Sequence, residues 1–136
     1  MKLATAAAVA VLTLSGSAAL AQGAQGITPY YKVVEHGRST KVDSYFISDP
    51  ECRSLGRATI NLLAAPQGGQ VSTENGFGYP TFPSTNPRFK CDSRRMPSTL
   101  LYYQAASDFT GTDTFTVEAV YPDGTAHQTR YTVYVR

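Results

Sequence analysis

The alternation of apolar and polar side chains near the C-terminus constrains the fold more than any other feature of the sequence. In the segment 114–121, two sets of side chains take opposite sides of an extended chain: Phe115, Val117, Ala119 and Tyr121 against Thr114, Thr116 and Glu118. The segment 126–136 repeats the pattern, with Tyr131, Val133 and Val135 on its apolar side. A period of two residues is that of a half-buried β-strand. Since Pro122, Asp123 and Gly124 favour a tight turn, a β-hairpin is predicted to end the domain.

Shorter β-prone segments separated by turn residues precede this hairpin. Strands are predicted over the ranges 30–34, 41–47, 57–64, 70–73 and 99–104. A long irregular stretch is predicted over 74–98, and a corner over 108–113. No apolar period of 3.6 residues persists for three turns, which argues against a helical domain. The pattern therefore predicts an antiparallel β-sandwich, with a closed barrel as the alternative.

The first 21 residues have the layout of a cleavable signal peptide. Lys2 supplies the positive start, the range 3–14 is apolar, and the range 19–21 (Ala-Leu-Ala) offers the small residues that a signal peptidase reads. An uncleaved membrane anchor is the competing interpretation, but the apolar run is shorter than the roughly 20 residues that a span requires. We expect a signal peptide over 1–21, a short lead-in over 22–29 and one domain over 30–136, in a periplasmic or secreted protein.

Two cysteines, Cys52 and Cys91, lie in the part of the chain that follows the signal peptide. In an oxidising compartment an even pair usually forms one disulfide, and this pairing is predicted here. Metal ligation and a catalytic thiol are the alternatives. Neither is supported by a CxxC spacing, a nearby histidine or an activating partner in the sequence.

The near-neutral net charge of the chain excludes a strong electrostatic field around the protein. The chain carries 12 Lys and Arg against 10 Asp and Glu, and removal of Lys2 with the signal peptide reduces the excess further. No strong field therefore favours nucleic acid or an anionic membrane surface. After the signal peptide, no apolar run is long enough to cross a bilayer, so no membrane span is predicted.

Several segments of the C-terminal part follow the pattern of a known family. They are Tyr102-Tyr103-Gln104, the range 108–117, the Tyr121-Pro122-Asp123-Gly124 turn, the range 131–135 and the bend Ala64-Ala65-Pro66-Gln67-Gly68-Gly69. Over about residues 57–136 the chain resembles bacterial immunoglobulin-like and cadherin-like domains of exported proteins. The resemblance implies an all-β fold, an antiparallel immunoglobulin-like β-sandwich of about seven strands, and says almost nothing about activity.

The corner at 108–113 has a physical interpretation of its own. Phe109 is predicted to plug one end of the core, and Gly111 to allow a tight backbone path that a side chain would block. Asp113 is predicted to accept hydrogen bonds from the amides of its own loop and so to hold the corner in shape. Calcium bound by Asp108, Asp113 and Asp123 is the alternative.

Few residues are available for catalysis. His36 and His127 both lie beside turns, where a solvated imidazole is common, and no nucleophile elbow, metalloprotease helix or phosphate-binding glycine loop is present. Copper bound by the two histidines with Met96 is a possible use of these residues, but their spacing does not support it. The sequence predicts a protein that is not an enzyme and that needs no cofactor or metal.

The stretch 75–97 is the predicted functional segment because it combines aromatic rings with positive charge. The candidate binding residues are Phe77, Tyr79, Phe82, Arg88, Phe89, Lys90, Arg94 and Arg95. Long loops in compact domains are often functional, and rings with arginines suit a protein partner or an envelope polysaccharide. The alternative is that the rings only cover an open edge of the sandwich, with the arginines at its rim.

These observations predict a non-enzymatic exported binding or structural module that contacts its partner through the 75–97 loop. A periplasmic protease inhibitor of immunoglobulin-like fold is the alternative, because such inhibitors present loops from one end of a sandwich. The ranges 75–78 and 86–87 resemble their loops only loosely. A purely structural surface domain is the third hypothesis.

Overall fold

The structure, a computed structural model, describes residues 26–136 and contains seven strands and one short 3₁₀-helix. The elements in chain order are β1 (Thr28–Val34), β2 (Ser39–Tyr45), β3 (Thr59–Ala64), β4 (Gly69–Gly78), the 3₁₀-helix (Phe89–Ser93), β5 (Met96–Ala105), β6 (Gly111–Val120) and β7 (Ala126–Val135). The predicted signal peptide over 1–21 and the first part of the lead-in lie outside the described residues. Within 26–136, none of the helical structure has the length and apolar character that a membrane crossing demands.

The strands form two sheets, with the order β1-β7-β6-β3 in one and β2-β5-β4 in the other. The predicted all-β sandwich of seven strands is therefore confirmed. One pair departs from the antiparallel arrangement of the others, since β1 runs parallel to β7. This pairing sets Tyr30 beside Tyr131 with their ring centroids 5.2 Å apart, so β1 covers an aromatic side chain of the core.

Aromatic rings stacked between the sheets form the centre of the core. Phe115 is 1% exposed, and its ring stacks on Tyr131 at 4.9 Å and lies parallel to Tyr103 at 5.7 Å between centroids. The apolar faces predicted for the last two strands are confirmed, since Val117, Ala119, Val133 and Val135 are buried with these rings. Burial of this face removes the largest apolar side chains from water and so stabilises the hairpin.

Strand β4 corrects the prediction of an irregular stretch over 74–98. It continues to Gly78 and pairs with β5 in an unbroken register. Two glycines make this pairing possible, because a Cβ on Gly76 would lie 2.5 Å from Leu100, and one on Gly78 would lie 3.0 Å from the Phe46 ring. Cross-strand packing thus overrides the low strand propensity of glycine.

At the corner 108–113, one prediction is confirmed and another holds for a different physical reason. Phe109 packs against the core at the predicted corner, as expected. Gly111 is needed for its backbone conformation (φ 119°), whereas a Cβ there would meet no atom within 4 Å. On β3, Leu62 is 47% exposed although it pairs with the buried Val117, because β3 lies at the edge of its sheet.

Candidate functional site

Three connections between strands meet at one end of the sandwich, which we call the loop end. They are the β2–β3 connection (46–58), the β4–β5 connection (79–95) and the β6–β7 turn (121–125). The predicted disulfide between Cys52 and Cys91 is present and joins the first two, with their Cα atoms 5.2 Å apart. The cross-link therefore holds two long connections in one place.

The β2–β3 connection is shaped by the carboxylate of Asp49. Its Oδ1 accepts hydrogen bonds from the amides of Glu51 (3.0 Å) and Arg53 (2.8 Å), and its Oδ2 accepts one from Nε of Arg53 (2.6 Å). The backbone hydrogen bond from Arg53 is the largest cause that lowers the pKa of Asp49 below its ordinary value. Cys52, at φ 65°, lies inside this tight turn and presents its sulfur to Cys91.

The β4–β5 connection is held against the β2–β3 connection by side chains as well as by the disulfide. Oδ1 of Asn86 accepts a hydrogen bond from the amide of Arg88 (2.8 Å), and Nε of Arg88 donates to the carbonyl of Ser48 (2.9 Å). The amide of Phe82 donates to Oδ1 of Asp92 (3.0 Å). These contacts fix the positions of Phe82 and Arg88, two of the predicted binding residues.

The β6–β7 turn is the third connection at the loop end. Asp123 Oδ1 accepts hydrogen bonds from both the hydroxyl (2.7 Å) and the amide (2.9 Å) of Thr125, and the hydroxyl contact is the largest cause that lowers the pKa of Asp123. The rings of Tyr121 and His127 meet edge to face at 6.0 Å. The turn and the start of β7 therefore bring a carboxylate, a phenol and an imidazole to the same part of the loop end.

The three connections, together with His127 at the start of β7, line an open cleft of about 280 Å³. Its lining residues are Phe46, Ile47, Ser48, Leu55, Phe82, Arg88, Tyr121, Asp123, Thr125 and His127. Three aromatic rings and two aliphatic side chains give it apolar walls, and a guanidinium, a carboxylate and an imidazole supply hydrogen-bonding groups. Such a mixture of apolar surface and a few polar groups is typical of small-ligand sites. Ser48 is only 2% exposed, and its hydroxyl has no partner among the described residues.

The structure divides the eight predicted binding residues into separate groups. Phe82 and Arg88 line the cleft. Phe77 lies on β4, where the guanidiniums of Arg57 and Arg95 lie 5.3 and 4.7 Å from its ring centroid. The remaining four are exposed on the β4–β5 connection and do not line the cleft: Tyr79, Phe89, Lys90 and Arg94.

Several cleft residues were not predicted as binding residues, notably Phe46, Tyr121 and His127. His127 is exposed, as predicted for a surface side chain, and it also lines the cleft beside Tyr121. The cysteine pair was the available signal, because a disulfide between Cys52 and Cys91 necessarily brings the segment around 46–58 to the predicted functional segment. For Tyr121 and His127, beside the β6–β7 turn, the spacing in the sequence gave no indication that they lie near this segment.

The positions of the candidate ligands argue against the calcium and copper sites considered from the sequence. Asp113 lies near the start of β6 and Asp123 follows its end, so the three carboxylates proposed for calcium do not converge. The backbone amide of His36 donates a hydrogen bond to the carbonyl of Arg136, beyond the end of β7, whereas His127 lies at the start of that strand. Among residues 26–136, no group of three or more His, Cys, Asp and Glu side chains is placed to hold a metal ion.

Comparison of the chain with protein-family models, with curated proteins and with solved structures finds no match.

Proposed function

We propose that this protein is a non-enzymatic, exported binding module that holds one unit of an envelope polysaccharide in the cleft at the loop end. The observation that carries the proposal is the cleft itself, whose walls come from three connections, two of them cross-linked by the Cys52–Cys91 disulfide. A site built on fixed walls loses little conformational entropy when it binds a ligand.

The chemistry of the lining favours a sugar ring over a larger ligand. A sugar presents apolar C–H faces, which suit the rings of Phe46, Phe82 and Tyr121, and hydroxyls, which suit the hydrogen-bonding groups of Asp123 and His127. The volume of about 280 Å³ lies near the lower end of the range of ligand sites. The volume and lining of the cleft therefore suit one sugar unit of a longer polysaccharide better than they suit the extended surface of a protein partner.

The strand order supports the resemblance to immunoglobulin-like domains. In that fold the second, fourth and fifth strands share one sheet, and the third, sixth and seventh share the other. The same partition is found here, with β1 placed beside β7. In variable domains of this fold, the loops after the second and sixth strands bind the ligand, and the corresponding connections here line the cleft. Export is supported by the disulfide, which persists in oxidising compartments.

Co-sedimentation with purified peptidoglycan, followed by titration with soluble neutral and acidic oligosaccharides, tests the proposal. We expect the wild-type protein to be retained and Phe82→Ser to weaken binding about tenfold, since an apolar wall of the site is lost. Phe89→Ser is the matched control, because Phe89 is a ring of the same β4–β5 connection that lies outside the cleft. His127→Gln, which keeps a polar side chain, is the second cleft variant.

Thermal unfolding of each variant separates loss of binding from loss of folding. Equal binding by wild type and both cleft variants would place the ligand elsewhere. Failure of the wild-type protein to bind any of the polysaccharides would remove this proposal and leave a protein partner as the ligand.

A protease inhibitor is the second candidate function, and Leu55 is the observation that favours it. This aliphatic side chain is 46% exposed on a connection anchored by the disulfide, so it could enter a specificity pocket of a protease. A panel of cysteine proteases should then be inhibited by the wild type and not by Leu55→Ser. Leu63→Ser is the control, since Leu63 is equally apolar and 50% exposed but lies on β3.

A further inference from the structure

Strand β4 is a free edge of its sheet. Its ten residues pair with β5 on one side in a register without interruption, and no strand of the described chain pairs with the other side. A free edge presents a row of backbone donors and acceptors, which is a template for another extended chain.

The other three edge strands carry features that hinder such pairing, and β4 does not. Strand β1 contains Pro29, and the registers of β2 and β3 shift at 41–43 and 62–64. Proline and bulges are common protections of sheet edges. Strand β4 has no proline, no bulge and one charged residue, Glu74, whose carboxylate accepts a hydrogen bond from Tyr102 (2.8 Å).

The C-terminal end of β4 carries concentrated positive charge. The guanidiniums of Arg57 and Arg95 both contact the ring of Phe77, so their central carbons lie no more than about 10 Å apart, near the screening length at moderate salt. Arg57 is held in place by the carbonyls of Ser98 and Gly76 (both 3.3 Å). Among residues 26–136, neither arginine forms an ion pair with a carboxylate.

We propose that the free edge of β4 binds an extended acidic segment of a partner protein as an additional strand, with its carboxylates at Arg57 and Arg95. Backbone hydrogen bonds supply the affinity of such strand addition, and side chains supply the specificity. Charge-assisted contacts to two guanidiniums then select an acidic segment. This surface is separate from the cleft at the loop end and does not depend on its ligand.

A second copy of this chain is a less suitable occupant. Glu74 lies near the middle of β4, and a symmetric antiparallel pair of β4 strands centred on this residue would set two Glu74 carboxylates directly opposite each other. Like charges across a strand pair are destabilising. In that register the positive end of β4 would meet Gln70 and Val71 of the second copy, which carry no charge.

The test uses two fluorescein-labelled peptides of the length of β4, built on alternating Thr and Val, one ending in three glutamates and the other in three lysines. We expect the full-length protein, by fluorescence anisotropy, to bind the acidic peptide about tenfold more tightly than the basic one. Arg95→Ser should remove most of this preference. Arg130→Ser, which removes one exposed charge from β7 in the other sheet, is the control and should leave it intact.

Hydrogen exchange of the backbone amides locates the binding. We expect the acidic peptide to slow exchange within 69–78 and not at the cleft. No binding at millimolar peptide, equal binding of the two peptides, or protection outside β4 would each overturn the proposal. Tighter binding of polyglucuronate than of the acidic peptide, without slower exchange in β4, would also overturn it and would show that the arginines bind an acidic polysaccharide.

Discussion

The hydroxyl of Tyr103, on β5, donates a 2.8 Å hydrogen bond to Oδ2 of Asp113, on β6, across the interior of the sandwich. The same carboxylate accepts hydrogen bonds from the amides of Gln67 (3.0 Å) and Gly68 (2.8 Å), which belong to the bend between β3 and β4. Asp113 therefore joins one strand from each sheet to a distant bend. The sequence predicted bonds within its own corner, where only the amide of Thr114 donates to it (2.9 Å).

Replacement of Asp113 by Ala should lower the free energy of unfolding by about 3 kcal/mol, because a buried hydroxyl and three amides lose their acceptor. Burial alone would raise the pKa of Asp113, but these hydrogen bonds outweigh burial and lower it, so the group is a carboxylate at neutral pH. Urea denaturation measures the loss. Asp108→Ala is the control, since Asp108 is exposed at the same corner. A similar small loss in both variants would contradict the role of Asp113.

Alkaline pH should destabilise the protein through its buried tyrosines. Burial is the largest cause that raises the pKa of Tyr45, Tyr103 and Tyr131 above the ordinary value of 10.0. A group whose pKa is higher in the folded state keeps its stabilising contribution below about pH 10, and loses it as the pH rises and the unfolded chain releases protons. Urea midpoints should therefore fall between about pH 9 and about pH 11.

The phenolate absorbance provides the second measurement of this effect, since buried tyrosines should ionise only when the chain unfolds. Tyr45→Phe removes one of the buried phenols and should reduce the alkaline loss of stability. Tyr31→Phe removes an exposed phenol (63% exposed) and should leave the loss unchanged. Stability that is independent of pH up to about pH 11 would show that these phenols are accessible to solvent.

Phe115→Ala should cost about 3–5 kcal/mol of stability, the range for removal of a large buried aromatic side chain. The ring stacks between Tyr103 and Tyr131, so its loss leaves a cavity between the two sheets. Thermal or urea unfolding gives the value, and Thr114→Ala on the exposed side of β6 is the control. A loss below about 1 kcal/mol would contradict the register of β6.

Reduction of the Cys52–Cys91 disulfide should lower the melting temperature by several degrees or more. The bond closes a loop with a sequence separation of 39 residues, for which loop entropy predicts about 4 kcal/mol of stabilisation. A Cys52→Ser, Cys91→Ser double variant should melt like the reduced protein. The same melting curve with and without reductant would show that the disulfide does not stabilise the protein and is not needed to hold the two connections of the cleft together.

Local pattern was sufficient for the C-terminal hairpin. Phe115, Val117 and Ala119 alternate with polar neighbours, and the turn at 122–124 closes at the predicted place, with the amide of Gly124 bonded to the carbonyl of Tyr121 (2.9 Å). Side-chain period and turn chemistry act over a few residues, so they can be read without knowledge of the partner strands. The cysteine pairing was predictable for another reason, since only two cysteines exist.

The candidate site was predictable only in part. Phe82 and Arg88 were found because a ring and a cation in a proline-rich segment suggest a binding loop. Phe46, Tyr121 and His127 were missed, because they come from separate connections that meet only after the two sheets have packed. Arg57, which reaches Phe77 from the start of β3, was missed for the same reason.

The sequence alone determined that the chain alternates its side chains as strands do, where it turns, and which two sulfurs can pair, since these properties depend on neighbouring residues and on composition. Only the tertiary structure decided that Gly76 and Gly78 belong to a strand, that β1 runs parallel to β7, and that three connections form one cleft. These features depend on contacts between residues far apart in the chain, where the packing of Leu100 and Phe46 over the glycines outweighs local propensity.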